Sequence, residues 1–171
     1  MFNEKVAQLL NDQINKEFYS AYLYLDFASY YEEEGLAGYA NWFKIQAQEE
    51  RDHAMLFMQY MHNNGLKVTL EAIGKPDVKI ENFMDPLVES LAHEKFVTAS
   101  INDIYAAAEE SKDYRTMKFL DWFIEEQGEE ETSADTNIKN YELFGGTPQG
   151  LYSLNAEMAS RVYTAPSLVL D

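Results

Sequence analysis

The sequence predicts an all-α protein: a four-helix bundle with one long crossover between its second and third helices and a short fifth helix behind the fourth. Three observations predict it. Four long stretches each carry an apolar seam at alternating steps of three and four residues, the spacing that keeps side chains on one buried helix face. Short turns join the first stretch to the second and the third to the fourth. Between the two pairs lies a segment of about 18 residues with no helical period, Leu66 to Phe83.

Taken in order, the first helix is expected from about Asn3 to Glu33, stopped by Gly35 and Gly38. The second starts near Tyr39 and ends at Asn63-Asn64-Gly65, where Asn and Gly suit a left-handed C-cap. The third begins at Asp85-Pro86, with Asp85 as N-cap and Pro86 at the first helical position, and ends around Glu110-Ser111. Asp113 caps the fourth, which continues to about Phe144. Gly145 to Pro148 break the chain, and Leu151 to Tyr163 form the short fifth helix, with Pro166 preventing a long continuation. Residues 1–145 thus make the bundle, and 146–171 make a loop, short helix and tail of the same domain. Short turns make helices one and two antiparallel, and three and four likewise. The crossover, extended, reaches roughly 60 Å, against about 40 Å for the helices. It can traverse the bundle and set the third helix parallel to the second.

Each seam is interrupted near its middle. The first reads Leu10, Ile14, Glu17, Ala21, Tyr24, Ala28, Tyr31. The second reads Phe43, Gln46, Glu50, His53, Phe57, Tyr60. The third reads Met84, Leu87, Leu91, Glu94, Thr98, Ile101, Tyr105. The fourth reads Thr116, Leu120, Phe123, Gln127, Glu130, Ala134, Asn137, Tyr141. Burying an unpaired carboxylate is costly unless the charge is paired or coordinates a metal. No Lys or Arg occupies a seam, so a cation is the simplest partner for Glu17, Glu50, Glu94 and Glu130. Glu50-x-x-His53 places a carboxylate able to bridge two metals one turn from an imidazole, and Gln127-x-x-Glu130 repeats the spacing. Oxygen-rich ligation without sulfur suits iron or manganese rather than structural zinc. An isolated Glu-x-x-His is common by chance; four seams broken at one level are not. The alternative is a buried polar network without metal.

Composition narrows the class. The chain has 171 residues, enough for one domain with a sizeable core. It has no cysteine, which excludes disulfides, Cys-ligated zinc, iron–sulfur clusters and a rubredoxin-like module and agrees with a reducing compartment. No N-terminal signal pattern or membrane-length apolar run is visible, so a cytoplasmic location with no membrane association is expected. The net charge of −17 disfavours nucleic acid and anionic lipid and favours cations.

Over essentially its full length the chain resembles prokaryotic non-haem ferritins. The features that carry the resemblance are Glu17, Tyr24, Glu49-Glu50-Arg51-Asp52-His53, Glu94 and Glu126-Gln127-Gly128-Glu129-Glu130. The fold implied is ferritin-like, and the site implied is a di-iron ferroxidase centre. Glu17, Glu50 and His53 would hold the first iron, and Glu50, Glu94 and Glu130 the second, with Gln127 beside the dioxygen site. The matching family Tyr sits near the metals, where Tyr24 could supply an electron; the other reading of Tyr24 is a core aromatic with a satisfied hydroxyl. In related ferritins the positions of Glu49, Glu126 and Glu129 form a third iron site shared with Glu130; here the alternative is a solvated acidic face. No haem is expected, because Arg51 stands where a haem-binding bacterioferritin has Met and Glu130 where it has His. His62 and His93 lie off the seams and are read as surface residues. Trp42, Trp122 and the seven Met residues are read as packing.

The resemblance implies oxidation of Fe(II) by dioxygen or hydrogen peroxide, with ferric mineral stored in a homo-oligomeric cage of 24 subunits. Two other functions fit the same residues: a di-iron oxidase or peroxidase without storage, and an acidic metal buffer without redox turnover. Leu151, Leu154, Met158 and Val162 give the fifth helix one apolar face, which packs either on its own bundle or on symmetry mates.

Overall fold

A computed structural model describes residues 3–170. Among them are five helices and no strand: α1 (Glu4–Glu33), α2 (Ala37–Asn63), α3 (Asp85–Glu110), α4 (Tyr114–Phe144) and α5 (Pro148–Ala159). None is long and apolar enough to cross a membrane.

The ends of the first three helices share one mechanism. Leu36 N–H donates to Tyr31 O at 2.8 Å, Leu66 to Met61 at 2.9 Å and Asp113 to Ala108 at 2.8 Å. Each is the six-to-one bond of a Schellman cap, closed through a residue at positive φ: Gly35, Gly65 and Lys112. At the start of α1, Asn3 accepts from Val6 N–H, and at the start of α4, Asp113 accepts from Thr116 N–H.

The crossover lies along α1. Asn11 exchanges two hydrogen bonds with the Thr69 backbone, Asn15 donates to Ala72 O, and the Tyr31 hydroxyl donates to Phe83 O at 2.6 Å. Residues 69 to 83 therefore follow α1 from its first third to its last turn. This traverse returns the chain to the starting end of α2 and makes α3 parallel to α2.

Three boundaries differ from the sequence reading. Asp85 is not the N-cap of α3; Met84 is. The Asp85 carboxylate accepts instead from Glu81 and Asn82 N–H, tying down the turn in front of the helix. Gly38 does not stop α1 but lies in the first turn of α2. The fifth helix starts at Pro148 rather than Leu151, because Thr147 caps it and Pro suits its first position, and it ends at Ala159. Val162 is consequently off the helix and 81% exposed.

The placement of α5 explains Gly38. Leu36 gives α2 no side-chain cap. Asn155 of α5 supplies one from across the chain, its Oδ1 accepting from Gly38 N–H at 2.8 Å and Tyr39 N–H at 3.2 Å. A Cβ on Gly38 would lie 1.7 Å from Asn155 O. Leu154 and Met158 pack into the same cluster as Phe27, Tyr31 and Phe43, so α5 docks on its own bundle. Gly38→Ala should dislodge α5 and cost about 1–3 kcal/mol, the usual range for overpacking. Thermal unfolding, with proteolysis after Phe144 as the local probe, measures it. Gly128→Ala, where a Cβ meets nothing, should be neutral or stabilising.

The seams of α1, α2 and α4 are mostly buried as read. On α3 the buried stripe is rotated: Ser90, Val97 and Ile104 are buried, while Leu91, Thr98 and Tyr105 are half-buried. Glu94 belongs to both stripes. The apolar interior falls into two clusters. One gathers Leu10, Ile14, Phe57, Ile101 and Phe123; the other gathers Tyr24, Phe27, Tyr31, Phe43 and Leu87. Between them runs the polar layer.

Candidate metal centre

Helical periodicity delivers one side chain or more from each of four helices to this layer. Glu17 comes from α1, Gln46, Glu50 and His53 from α2, Glu94 from α3, and Gln127 and Glu130 from α4; all are buried, with Glu50 at 0% exposure. Potential ligand atoms of Glu17, Glu50 and His53 lie within 4.8 Å of one another, as do those of Glu50, Glu94 and Glu130. Glu50 is common to both sets. A third set, His53, Glu126 and Glu130, meets the same limit.

The hydrogen bonds hold the ligands without saturating them. Gln13 donates to Glu17 at 2.8 Å, and Gln46 donates to Glu50 at 3.2 Å and to Glu130 at 2.6 Å. Gln127 donates to Glu94 Oε2 at 3.1 Å, and the Tyr24 hydroxyl donates to Glu94 Oε1. Among the described residues, the buried side-chain N and O atoms without a partner are Gln13 Oε1, Glu17 Oε2, Gln46 Oε1, Glu50 Oε2 and His53 Nδ1. All five belong to this layer, and all can offer a lone pair. Buried polar groups are nearly always satisfied, so five orphan acceptors in one layer fit a bound cation. His53 Nδ1 is 3.4 Å from Glu50 Oε2, close enough to share an ion between them. The imidazole is held edge-on by Trp122 and Phe123, at 5.6 and 5.7 Å between centroids.

Electrostatics agree. Burial pushes the carboxyls of Glu17, Glu50 and Glu130 well above the ordinary range and raises Glu94 as well; neighbouring carboxylates add to the shift at Glu17, Glu50 and Glu130. Burial beside Glu94 likewise keeps the Tyr24 phenol protonated. A metal ion reverses this balance, because it favours every ionised ligand at once.

The outer acidic residues are not brought together as one group. Glu126 sits beside His53, 4.0 Å from Nε2. Glu49 is engaged by Arg161, whose Nη2 donates to Oε2 at 2.5 Å. Glu129 is exposed and belongs to none of the three sets. His62 is exposed, as read, but His93 is not a surface residue. Its Nε2 lies 2.7 Å from Ser20 Oγ, and burial lowers its pKa to about 4.

Sequence reasoning missed Gln13 and gave Gln46 no role. Gln-x-x-x-Glu occurs at Gln13–Glu17 and again at Gln46–Glu50, and that repeated one-turn spacing was the available signal. Arg161 and Tyr163 were also missed, since no periodic pattern connects them to α2.

Four helices around a layer of four carboxylates and one imidazole, with one carboxylate shared between two ligand sets, define the class of carboxylate-rich dinuclear metal bundles. Residues 7–144 match the family described as Ferritin-like domain. Bacterial non-heme ferritin from Staphylococcus aureus (strain USA300) is 32% identical over 163 residues, covering 95% of this chain and 98% of that one. The counterpart from Staphylococcus epidermidis is 33% identical with the same coverage. An open pore ferritin from the hyperthermophilic archaeon Archaeoglobus fulgidus superposes with a TM-score of 0.92 at 37% identity, covering 95% of this chain and all of that one. An engineered closed form of that ferritin gives a TM-score of 0.93 at 37% identity, covering 96% of this chain and all of that one. The chain belongs to the ferritin family.

Proposed function

We propose that this protein is an iron-storage ferritin that oxidises Fe(II) at a dinuclear centre within each subunit. The observation that carries the reading is Glu50, fully buried, common to two ligand sets and left with an acceptor atom without a partner, as are Glu17 and His53 beside it. In this reading Glu17, Glu50 and His53 hold one substrate Fe(II), and Glu50, Glu94 and Glu130 the other. Gln127 stands beside the position where the oxidant binds. Each pair of Fe(II) ions gives up two electrons, which reduce dioxygen with two protons to hydrogen peroxide, or peroxide with two protons to water. In this reading Tyr24, hydrogen-bonded to Glu94, supplies one further electron when a third Fe(II) is also present, so that four electrons and four protons reduce dioxygen to two waters. On the same reading Glu49, Glu126 and Glu129 would close around a third iron, with Glu130 shared, although Glu129 is exposed. The His53, Glu126 and Glu130 set supports that position; the Arg161 contact to Glu49 opposes it.

Storage requires a hollow assembly, because one convex bundle encloses no volume for mineral. The reading therefore includes a homo-oligomeric cage, taken as 24 subunits from the family resemblance, working in the cytoplasm where reducing conditions supply Fe(II). The description of one relative as an open pore ferritin and another as its closed form supports an enclosing shell. Light scattering and electron microscopy after aerobic Fe(II) loading test this. A large closed particle with an electron-dense core is expected. A small particle with Fe(II) oxidation and no core indicates a di-iron oxidase without storage. Metal binding without oxidation indicates a buffer.

A further inference from the structure

The chain after α5 turns back along the bundle, and Arg161, two residues past the end of the helix, is held by several contacts. The Arg161 guanidinium lies over the Trp42 ring at 4.3 Å, donates to Trp42 O at 3.2 Å and donates to Glu49 Oε2 at 2.5 Å. Asn41 holds the Arg161 carbonyl at 3.1 Å. Two residues on, the Tyr163 hydroxyl donates to the Asp52 carboxylate, and Trp122 Nε1 donates to Ser167 Oγ at 2.8 Å. Leu168 and Leu170 then pack against the apolar cluster of Phe57 and Phe123. Residues 161–170 thus strap the α2–α4 face, passing Glu49, Asp52 and Trp122, the residue that packs on His53. The strap is held at separate points. Between it and α2 lies a groove of about 370 Å³ lined by Asp52, Met55, Leu56, Gln59, Tyr163 and Leu168 among others.

We propose that Arg161 is a built-in cation occupying the Glu49 ligand of the outer metal position, and that a metal ion binding there displaces Arg161 and releases the strap. The inference rests on the functional reading above. The outer position shares His53 and Glu130 with the inner sets and adds Glu126 and Glu49, which belong to neither. His53, Glu126 and Glu130 already offer atoms within 4.8 Å of one another. Glu49 is the third carboxylate of this cluster, and both His53 and Glu126 act electrostatically on it. Its oxygen is committed to a guanidinium that is only 22% exposed, so pairing is stronger than at an open surface. A divalent ion taking Glu49 frees the guanidinium to solvent, and the exchange leaves the position one charge more positive. The competition is reciprocal: whatever factor the strap removes from metal affinity, the metal removes from strap closure. The outer position thereby reports its occupancy on the protein surface through the tail.

The test uses the iron-free assembled protein and Zn²⁺, which binds without redox turnover. Calorimetric titration of the wild type should show two tight sites per subunit and a weaker third. Arg161→Gln should tighten the third about tenfold, inside the usual span of coupled sites, and leave the first two unchanged. Tyr163→Phe, which loosens the strap without touching Glu49, should give a smaller gain. In the wild type, saturating Zn²⁺ should raise amide exchange across residues 161–170. A third site equally weak in both variants overturns the proposal, as does a strap whose exchange ignores Zn²⁺. Loss of the third ion in Arg161→Gln overturns it too, since Arg161 would then organise the position rather than compete for it. Absence of the two tight sites contradicts the dinuclear reading instead.

Discussion

Glu50→Ala should abolish the fast phase of Fe(II) oxidation while leaving the bundle folded. Glu50 is the one carboxylate common to the Glu17–His53 and Glu94–Glu130 sets, so its loss removes a ligand from both positions at once. Substitutions of groups that merely orient a ligand typically cost 10–100-fold in metal affinity or activity. Gln46→Leu, which removes an amide donated to Glu50 and Glu130, should fall in that range. Glu50→Ala should exceed it, with the initial rate falling by more than about 100-fold. The fold should tolerate the change, since a buried carboxylate with an unpartnered oxygen contributes no net stabilisation without its metal. Stopped-flow absorbance under air, with circular dichroism as the control for folding, gives the answer. A fast phase that survives in Glu50→Ala sinks the dinuclear assignment.

The second large effect is on stability. The metal-free protein should lose stability as pH rises, and metal should restore it. Burial raises Glu17, Glu50, Glu94 and Glu130 above the ordinary range, so the folded chain keeps their protons longer than the unfolded chain does. Stability is then fullest below about pH 4, where both states are protonated. It declines as pH climbs from there through the raised folded values, because the unfolded state ionises first. Carboxylates elsewhere on the surface act in the opposite sense near pH 4, so the comparison belongs between pH 5.5 and 8. Glu17→Leu with Glu130→Met should flatten that dependence. It should also stabilise the metal-free protein at pH 8 by about 1–4 kcal/mol, the range found when apolar groups replace buried ionic ones. In a chain of this size each kcal/mol moves the melting temperature by about 2–4 °C. The same variant should bind no metal pair and gain nothing from added Zn²⁺. Unfolding of the double variant below the wild type at pH 8 would show that these carboxylates hold the bundle together by contacts of their own.

Much of this architecture was legible in the sequence because helices write periodicity. The seams of α1, α2 and α4 needed only the three-and-four step, and the layer of Glu17, Glu50, His53, Glu94, Gln127 and Glu130 followed from where each seam turned polar. On α3 the reading slipped by part of a turn. Ser90 and Ser100 are buried there, and Phe96 and Val88 are exposed, so polarity misjudges the face. Glu94 survived the slip because it lies on both stripes. Caps were read where the side chain bonds its own helix, as at Asp113, and misread where it bonds elsewhere, as at Asp85. The contacts of Asn155 with α2 and Arg161 with Glu49 join residues more than a hundred positions apart. No local pattern encodes such pairs; they exist only once the crossover has set the helix order and α5 has docked.

That the polar layer divides the apolar interior in two has a consequence for cooperativity. The cluster around Leu10, Phe57 and Phe123 and the cluster around Phe27, Tyr31 and Phe43 are each large enough to melt as a unit. In the metal-free chain the junction between them consists of repelling acids and amides with unused lone pairs. The continuous backbones of α1 to α4 and a few hydrogen bonds across the layer carry one half's order into the other. Ions held as proposed, by ligands from all four helices, would rivet the halves at this plane. If the layer holds iron as proposed, the cargo is also a structural fastener, and a subunit without it keeps its two halves joined by the hydrogen bonds of that layer and by the same four rods.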